Sequence, residues 1–307
     1  MKFSILMSVY NEEKLMGSAL ENLIKQIRKY GVDAEILVGI DGDDRTDEIA
    51  RSYIKKFRKL GVEMRVYKFA ERKGRTKTMN FLIEKAKGEI LINHDPDRLL
   101  RVNLNTVENL FRDKKIGAPI LEDSMTRDVI NKGQKVLEEN YVRIKLNKYL
   151  KGNVAIKPEF QAYIFRRSAL RKPAFKTTQD DTEVVYNLMK DGYKVVYVKD
   201  IACCLPDNPR MPKLTISGIM KRRVRGELFR HHAKNILKTD RYSGKSHSSD
   251  FLAAILLTMR TASISQLLSV FKYLIIIFVA ITSARLRLIF EGTEQSDGWQ
   301  MKYRVKR

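Results

Sequence analysis

Through its first 121 residues the chain alternates short, β-branched apolar runs with stretches of helical period, and this alternation narrows the fold more than any other feature. The runs are Phe3–Val9, 35–41, 64–69, 89–94 and Ile116–Leu121, and helix-like stretches fill the gaps at 12–30, 46–60, 76–87 and 104–113. Within 46–60, Ile49, Tyr53, Ile54 and Phe57 recur at three- and four-residue spacing, an amphipathic stripe. Thr46-Asp47-Glu48 opens that segment with an N-cap and acids in the first turn. Such alternation implies βαβ units and a Rossmann-like α/β fold: a mostly parallel sheet with helices on both faces. Open sheets of this kind bind ligands just beyond the carboxyl ends of their strands, so the loops there are where chemistry is to be sought.

After the fourth run stands Asp95-Pro96-Asp97. Two carboxylates one residue apart at a sheet edge repel each other unless a cation shares the site. A hard divalent ion, Mg²⁺ or Mn²⁺, clamped to a diphosphate would supply it. By itself the tripeptide reads better as a solvated turn stopped by proline, but the other loops change that balance. Val9-Tyr10-Asn11-Glu12-Glu13 follows the first run and Asp41-Gly42-Asp43-Asp44-Arg45-Thr46 the second. Glu71-Arg72-Lys73-Gly74-Arg75-Thr76-Lys77 follows the third and runs into a helix containing Asn80. One edge thus gathers an aromatic ring, acids suited to ribose and base, cations for phosphate and an acidic pair, which is what a nucleoside-diphosphate ligand requires. No Gly-x-Gly-x-x-Gly loop occurs, which argues against a dinucleotide dehydrogenase. His94 reads as a core histidine and His231-His232 as helix surface.

The second half is less regular. Residues 160–165 and 193–198 read as strands and 181–190 as a helix; Pro206, Pro209 and Pro212 punctuate a loop, and an Arg-rich helix is expected over 214–233.

On these motifs the chain resembles the family-two glycosyltransferases, whose nucleotide-sugar domain has the GT-A fold, over about residues 3–230. Their opening motif is similar to Ser8-Val9-Tyr10-Asn11-Glu12-Glu13, and their Asp-Gly-Ser-x-Asp turn to Asp41-Gly42-Asp43-Asp44. Their Gly-Lys-x-x-x-x-Asn stretch resembles Gly74-Arg75-Thr76-Lys77-Thr78-Met79-Asn80, and their Asp-x-Asp resembles Asp95-Pro96-Asp97. The acidic pair before a helix ending in Gly-Tyr is similar to Asp180-Asp181-Thr182-Glu183 with Gly192-Tyr193. The Gln-x-x-Arg-Trp signature of processive synthases is reduced to Arg222-Arg223-Val224-Arg225-Gly226, so transfer of a single sugar is expected. The resemblance implies donor contacts from Val9, Tyr10, Glu12, Asp41, Arg75, Asp95, Asp180, Arg222 and Arg225. It also implies Mg²⁺ or Mn²⁺ on Asp95 and Asp97, Asp181 as catalytic base, and inversion at the anomeric carbon. Asp180-Asp181-Thr182-Glu183 is equally an acidic helix start favoured by the dipole.

From residue 251 the character changes. Residues 251–259 are apolar, and 267–284 are apolar apart from Lys272 and a few Ser and Thr, about the length a transmembrane helix needs. The stretch before them, 221–245, carries Lys221, Arg222, Arg223, Arg225, Arg230, Lys234, Lys238, Arg241 and Lys245 against Glu227 and Asp240 alone. Over the whole chain 59 Lys and Arg oppose 36 Asp and Glu, a net charge of +23. Cations beside an apolar helix suit an anionic leaflet. Because the tail also ends basic, a hairpin or an in-plane helix fits the positive-inside tendency better than one crossing; a buried core helix is the remaining reading. The expected organisation is a transferase domain over 1–230, a basic linker over 231–250, a membrane-associated segment over 251–290 and a basic tail over 291–307.

Cys203 and Cys204 are adjacent and unsuited to a disulfide with each other, which fits a reducing, cytosol-facing compartment. The chain enters a strand at Phe3 with no charged-then-apolar leader, so export by a signal peptide is not expected. The expected partners are a nucleotide-diphosphate sugar, a lipid-linked or glycan acceptor and a membrane. A non-catalytic membrane-tethered binder of the same fold is the alternative, disfavoured because Asp95, Asp97 and Asp181 are all intact. Nucleic-acid binding would account for the charge, but the cations cluster beside the apolar tail and form no recognisable binding module.

Overall fold

The computed structural model describes residues 2–97, 99–100, 102–121, 132–158, 160–176, 180–198, 204–205, 224 and 245–290. Its central strands are β1 (Phe3–Val9), β2 (Ala34–Ile40), β3 (Glu63–Lys68) and β4 (Ile90–Asn93). They alternate with helices α1 (Glu13–Tyr30), α2 (Thr46–Ser52), α3 (Ile54–Arg58) and α4 (Arg75–Lys85). Farther along come β5 (Leu99–Leu100), α5 (Leu104–Leu110), β6 (Ile116–Leu121), α6 (Lys132–Tyr149), β7 (Leu150–Lys151) and β8 (Val154–Ala155). The remaining elements are β9 (Ile164–Arg166), α7 (Asp180–Lys190), β10 (Lys194–Val198), β11 (Cys204–Leu205), α8 (Lys245–Thr261) and α9 (Ile264–Phe290).

The main sheet runs β3–β2–β1–β4–β9. β1 pairs in parallel with β2 from Phe3↔Ala34 to Val9↔Ile40, and with β4 from Phe3↔Ile90 to Leu6↔Asn93. Only β9 runs antiparallel. β2 is buried along its whole length and β1 nearly so, as strands covered on both faces must be. Leu15, Met16, Ala19, Leu20, Leu23, Ile24 and Ile27 of α1 recur at helical spacing and supply one covering face. A second sheet runs β6–β10–β8–β7, and β11 pairs with β5.

The expected strands and helices of the first half are present within a residue or two, except that the helix expected over 104–113 ends at Leu110. The helix expected over 46–60 is divided at Tyr53, whose N–H bonds the Ala50 carbonyl three residues back and tightens the turn. The strand expected over 160–165 pairs only from Ile164, because the Ala162 N–H is taken by the Asp181 carbonyl. Apart from the helical, buried Val224, the helix expected over 214–233 lies outside the described residues.

The chain divides into two compact units. The first comprises Met1–Ser124, Lys151–Met211 and Asp297–Arg307 and holds the sheets; the second comprises Met125–Leu150 and Pro212–Ser296. In the second unit α6 packs with both α8 and α9 around Leu137, Ala254, Val270, Tyr273 and Ile277. The charge-laden α6 carries no clear apolar stripe, which is why periodicity alone does not announce it.

β2 also buries a carboxylate completely. Glu35 accepts from the Ser4 hydroxyl at 2.6 Å, the Lys87 N–H at 2.5 Å, the Gly88 N–H at 3.2 Å and Arg65 Nη2 at 2.6 Å. Burial alone would raise its pKa, but these donors and the arginine charge hold it below the usual carboxylate range. Glu35→Ala should cost about 3–5 kcal/mol, because it strands a charged arginine and buried donors. A thermal or denaturant melt reads this directly, and a loss below about 1 kcal/mol would show the network to be dispensable.

Candidate functional site

The parallel register of β1, β2, β3 and β4 delivers four loops to one edge, and side chains then lock them together. Asn11, at φ 51°, donates from Nδ2 to Asp43 Oδ1 at 3.1 Å and accepts the Asp43 N–H at 3.0 Å. A Cβ on Gly42 would lie 2.0 Å from Asn11 Oδ1, so this crossing of loops requires glycine. Lys68 Nζ donates to the Gly42 carbonyl from the end of β3.

Asp41 fixes the third loop. Its two oxygens accept the Lys73 N–H at 2.5 Å and the Gly74 N–H at 2.6 Å. Gly74, at φ 77°, then opens α4 and aims Arg75 at the sheet edge. Arg75 Nη1 lies 2.7 Å from Asp95 Oδ1, and Nη2 lies 3.5 Å from Asn93 Oδ1. Farther along α4, Asn80 bonds both ways with Phe175: its Nδ2 donates to the carbonyl at 2.8 Å and its Oδ1 accepts the N–H at 3.0 Å. The last residue of the Gly-Arg motif is therefore a strut between α4 and the segment before α7.

Tyr10 stands 44% exposed at the rim with the Arg72 guanidinium 4.1 Å from its ring centroid, a cation–π pair. Val9 is buried and its carbonyl accepts the Asp41 N–H. His94 is fully buried, as its place in the strand suggests.

Glu12 sits at the start of α1 with its N–H bonded to Thr46 Oγ1 at 2.9 Å. Its pKa is pushed up to about 7 by burial and by the charges of Asp97, Asp95 and Asp44. Glu12, Arg75, Asp95 and Asp97 are thus one electrostatic group with more acid than base. No cluster of three or more His, Cys, Asp or Glu with metal-binding geometry occurs among the described residues. Mg²⁺ and Mn²⁺ bound through one or two carboxylates and substrate phosphates need no such cluster, so Asp95 and Asp97 fit that chemistry.

Asp181 stands in the first turn of α7. Its Oδ1 accepts the Thr182 N–H at 2.8 Å, and its Oδ2 lies 3.2 Å from the Tyr163 hydroxyl. The Tyr163 carbonyl accepts the Asn93 N–H at 2.7 Å, two residues before Asp95. Tyr163 therefore links Asp181 to the strand end that bears the acidic pair. It escaped notice in the sequence because an aromatic in an apolar run reads as core, and it is indeed 2% exposed. Glu183, beside it, points elsewhere and accepts the Lys176 N–H at 3.0 Å. Asp180 opens α7. Arg222 and Arg225 lie outside the described residues.

A family model described as glycosyl transferase family 2 matches residues 4–175. Among solved structures, the mannosyltransferase PcManGT from Pyrobaculum calidifontis, in complex with GDP-Man and Mn²⁺, is similar with a TM-score of 0.65 and 16% identity. That match covers 95% of this chain and 88% of the other, and at this identity the likeness is one of fold. S. aureus TarS residues 1–349 in complex with UDP match at a TM-score of 0.48 and 16% identity, over 73% of this chain and 64% of that one. No curated protein matches the chain in sequence.

The raised pKa of Glu12 has a measurable sign. The folded state holds the Glu12 proton up to about pH 7, whereas the unfolded chain releases it near 4.5. Wherever the folded state binds more protons, stability falls as pH rises, here between about 4.5 and 7. In chelator, Glu12→Gln should therefore match wild type near pH 5 and melt higher at pH 8. Equal melting temperatures at both pH values would contradict the repulsion.

Proposed function

The chain belongs to glycosyl transferase family 2, and from that premise we propose that it is an inverting, metal-dependent transferase of a single hexose-type sugar. The donor is a nucleoside-diphosphate sugar and the acceptor a lipid-linked or glycan hydroxyl, at the cytoplasmic face of a membrane. The observation that carries this reading is the convergence of Arg75, Asp95, Asp97 and Glu12 on the carboxyl edge of a parallel sheet. The transfer chemistry is assigned to residues 1–230 and membrane attachment to 251–290, joined by the basic stretch 231–250 and followed by the tail 291–307.

In this reading Tyr10 offers its exposed ring to the base, and the loops ending in Val9, Glu12 and Asp41 frame the nucleoside. Asp95 and Asp97 would hold Mg²⁺ or Mn²⁺, which when bound offsets the charge of the diphosphate. Arg75, already at the pair, supplies a guanidinium to the leaving phosphate, and Arg222 and Arg225 are assigned to the same group by their motif. The acceptor oxygen attacks the anomeric carbon on the face opposite the diphosphate and forms the new glycosidic bond. The old bond to the phosphate oxygen breaks with its electron pair, and the hydroxyl proton passes to Asp181. Tyr163 holds one oxygen of that carboxylate and the Thr182 N–H the other, and Asp180 is assigned to the donor by its motif. The attack from the opposite face inverts the configuration.

Two substitutions separate binding from chemistry. Asp97→Ala should weaken donor binding and abolish the stimulation by Mn²⁺ or Mg²⁺ across a panel of GDP-, UDP- and dTDP-sugars. Full turnover in excess chelator would overturn the metal assignment. Asp181→Asn should keep donor affinity while turnover falls by ~10²–10⁴. Undiminished turnover would move the base elsewhere, and donor binding without turnover in the wild type would favour the non-catalytic alternative.

A further inference from the structure

One described stretch, Ile264–Ser283 in α9, is long and apolar enough to cross a membrane. Its packing argues against a crossing. Val270, Tyr273, Ile277 and Ala280 of α9 are buried, and the first three share a core with Leu137 of α6 and Ala254 of α8. Tyr273, at the middle of the apolar stretch, donates its hydroxyl to Glu138 of α6 at 3.1 Å. α6 is held along α8 as well: Asn140 donates to Thr258 at 3.0 Å, and Lys148 and Tyr149 both reach Asp250. The outer side of α6 exposes Lys135, Glu139 and Arg143. An α9 that crossed the bilayer would carry Glu138 and its charged neighbours on α6 to hydrocarbon depth. Lys272, exposed and one residue from Tyr273, would sit near the bilayer centre. Each such charge costs roughly 2.5–3.5 kcal/mol there.

The face turned away from α6 is apolar on both helices. Leu252, Leu256 and Met259 are exposed on α8, and Leu268, Phe271, Ile275 and Phe278 on α9, with Phe271 64% and Phe278 70% exposed. Arg260 and Lys272 stand among them on stems long enough to snorkel from a shallow depth. A charged helix backing an apolar two-helix face is the pattern of an interfacial element. The cations of 221–245 select an anionic surface for it.

We propose that the helical unit docks into a single leaflet of an anionic membrane, with α8 and α9 lying in its plane and no segment crossing. This rests on the membrane attachment proposed above and adds its geometry. The full chain is expressed in a bacterial host with Cys203 and Cys204 changed to Ser and Ala262→Cys placed between the helices. A membrane-impermeant maleimide is then applied to spheroplasts and, separately, to inverted membrane vesicles. Labelling of residue 262 only in inverted vesicles is expected, and labelling from the spheroplast exterior would show a hairpin. Protease digestion of a tag after Arg307, in the chain with its native cysteines, completes the test. The tag should be lost in inverted vesicles, and its protection there would show a single crossing.

In a second arm the purified chain is mixed with vesicles containing anionic phospholipid. Phe271→Ser with Phe278→Ser should lower the bound fraction at least about tenfold while leaving the melting temperature near wild type, since neither ring is buried in the fold. Unchanged vesicle binding, or a wild-type dimer that these substitutions dissociate, would overturn the docking face. A chain that stays in the cytosol and binds no vesicle would instead overturn membrane attachment itself.

Discussion

Parallel pairing of β1 to both β2 and β4 is the constraint on which the rest of the first unit depends. Strands running the same way must end at the same edge, so Asn11, Asp41 and Asp95, distant in the chain, emerge beside one another. A slip of one residue would exchange the sets of side chains that β1 and β2 pack on their two covered faces. The clasp of Asn11 on Asp43 and Gly42 and the grip of Asp41 on Lys73 and Gly74 follow from that register.

Two carboxylates in this unit show how environment separates structure from chemistry. Glu35 is enclosed by donors and an arginine, so its charge is fully matched and its pKa depressed. Glu12 is partly buried and faces other acids, and its pKa rises to about 7. The first is a finished interaction. The second belongs to a group of acids at the sheet edge in which Arg75 pairs with Asp95. A perturbed acid beside other charged groups at a sheet edge marks a candidate functional site.

The helical unit obeys a different balance. α9 is apolar around most of its surface, yet one side is covered by a helix rich in Lys, Glu and Arg. Buried polar pairs, Tyr273 with Glu138 and Asn140 with Thr258, hold the helices in register. Burying such polar groups is tolerable because each meets its hydrogen-bond partner.

Local pattern sufficed for the alternating elements of the first half, because period-two and period-3.6 hydrophobicity are written residue by residue. The acidic pair, the Gly-Arg loop and the edge at which they meet were legible for the same reason. Tertiary structure alone decided what depends on distant partners. It made Glu35 a buried hub, gave Asn80 a strut's role, and used Tyr163 to join Asp181 to the Asp95 edge. It also drew α6 out of an unpatterned stretch to pack with helices more than a hundred residues later. A single sequence lists side chains along a line; which of them share a dielectric, a donor or a face is settled only when the chain folds them together.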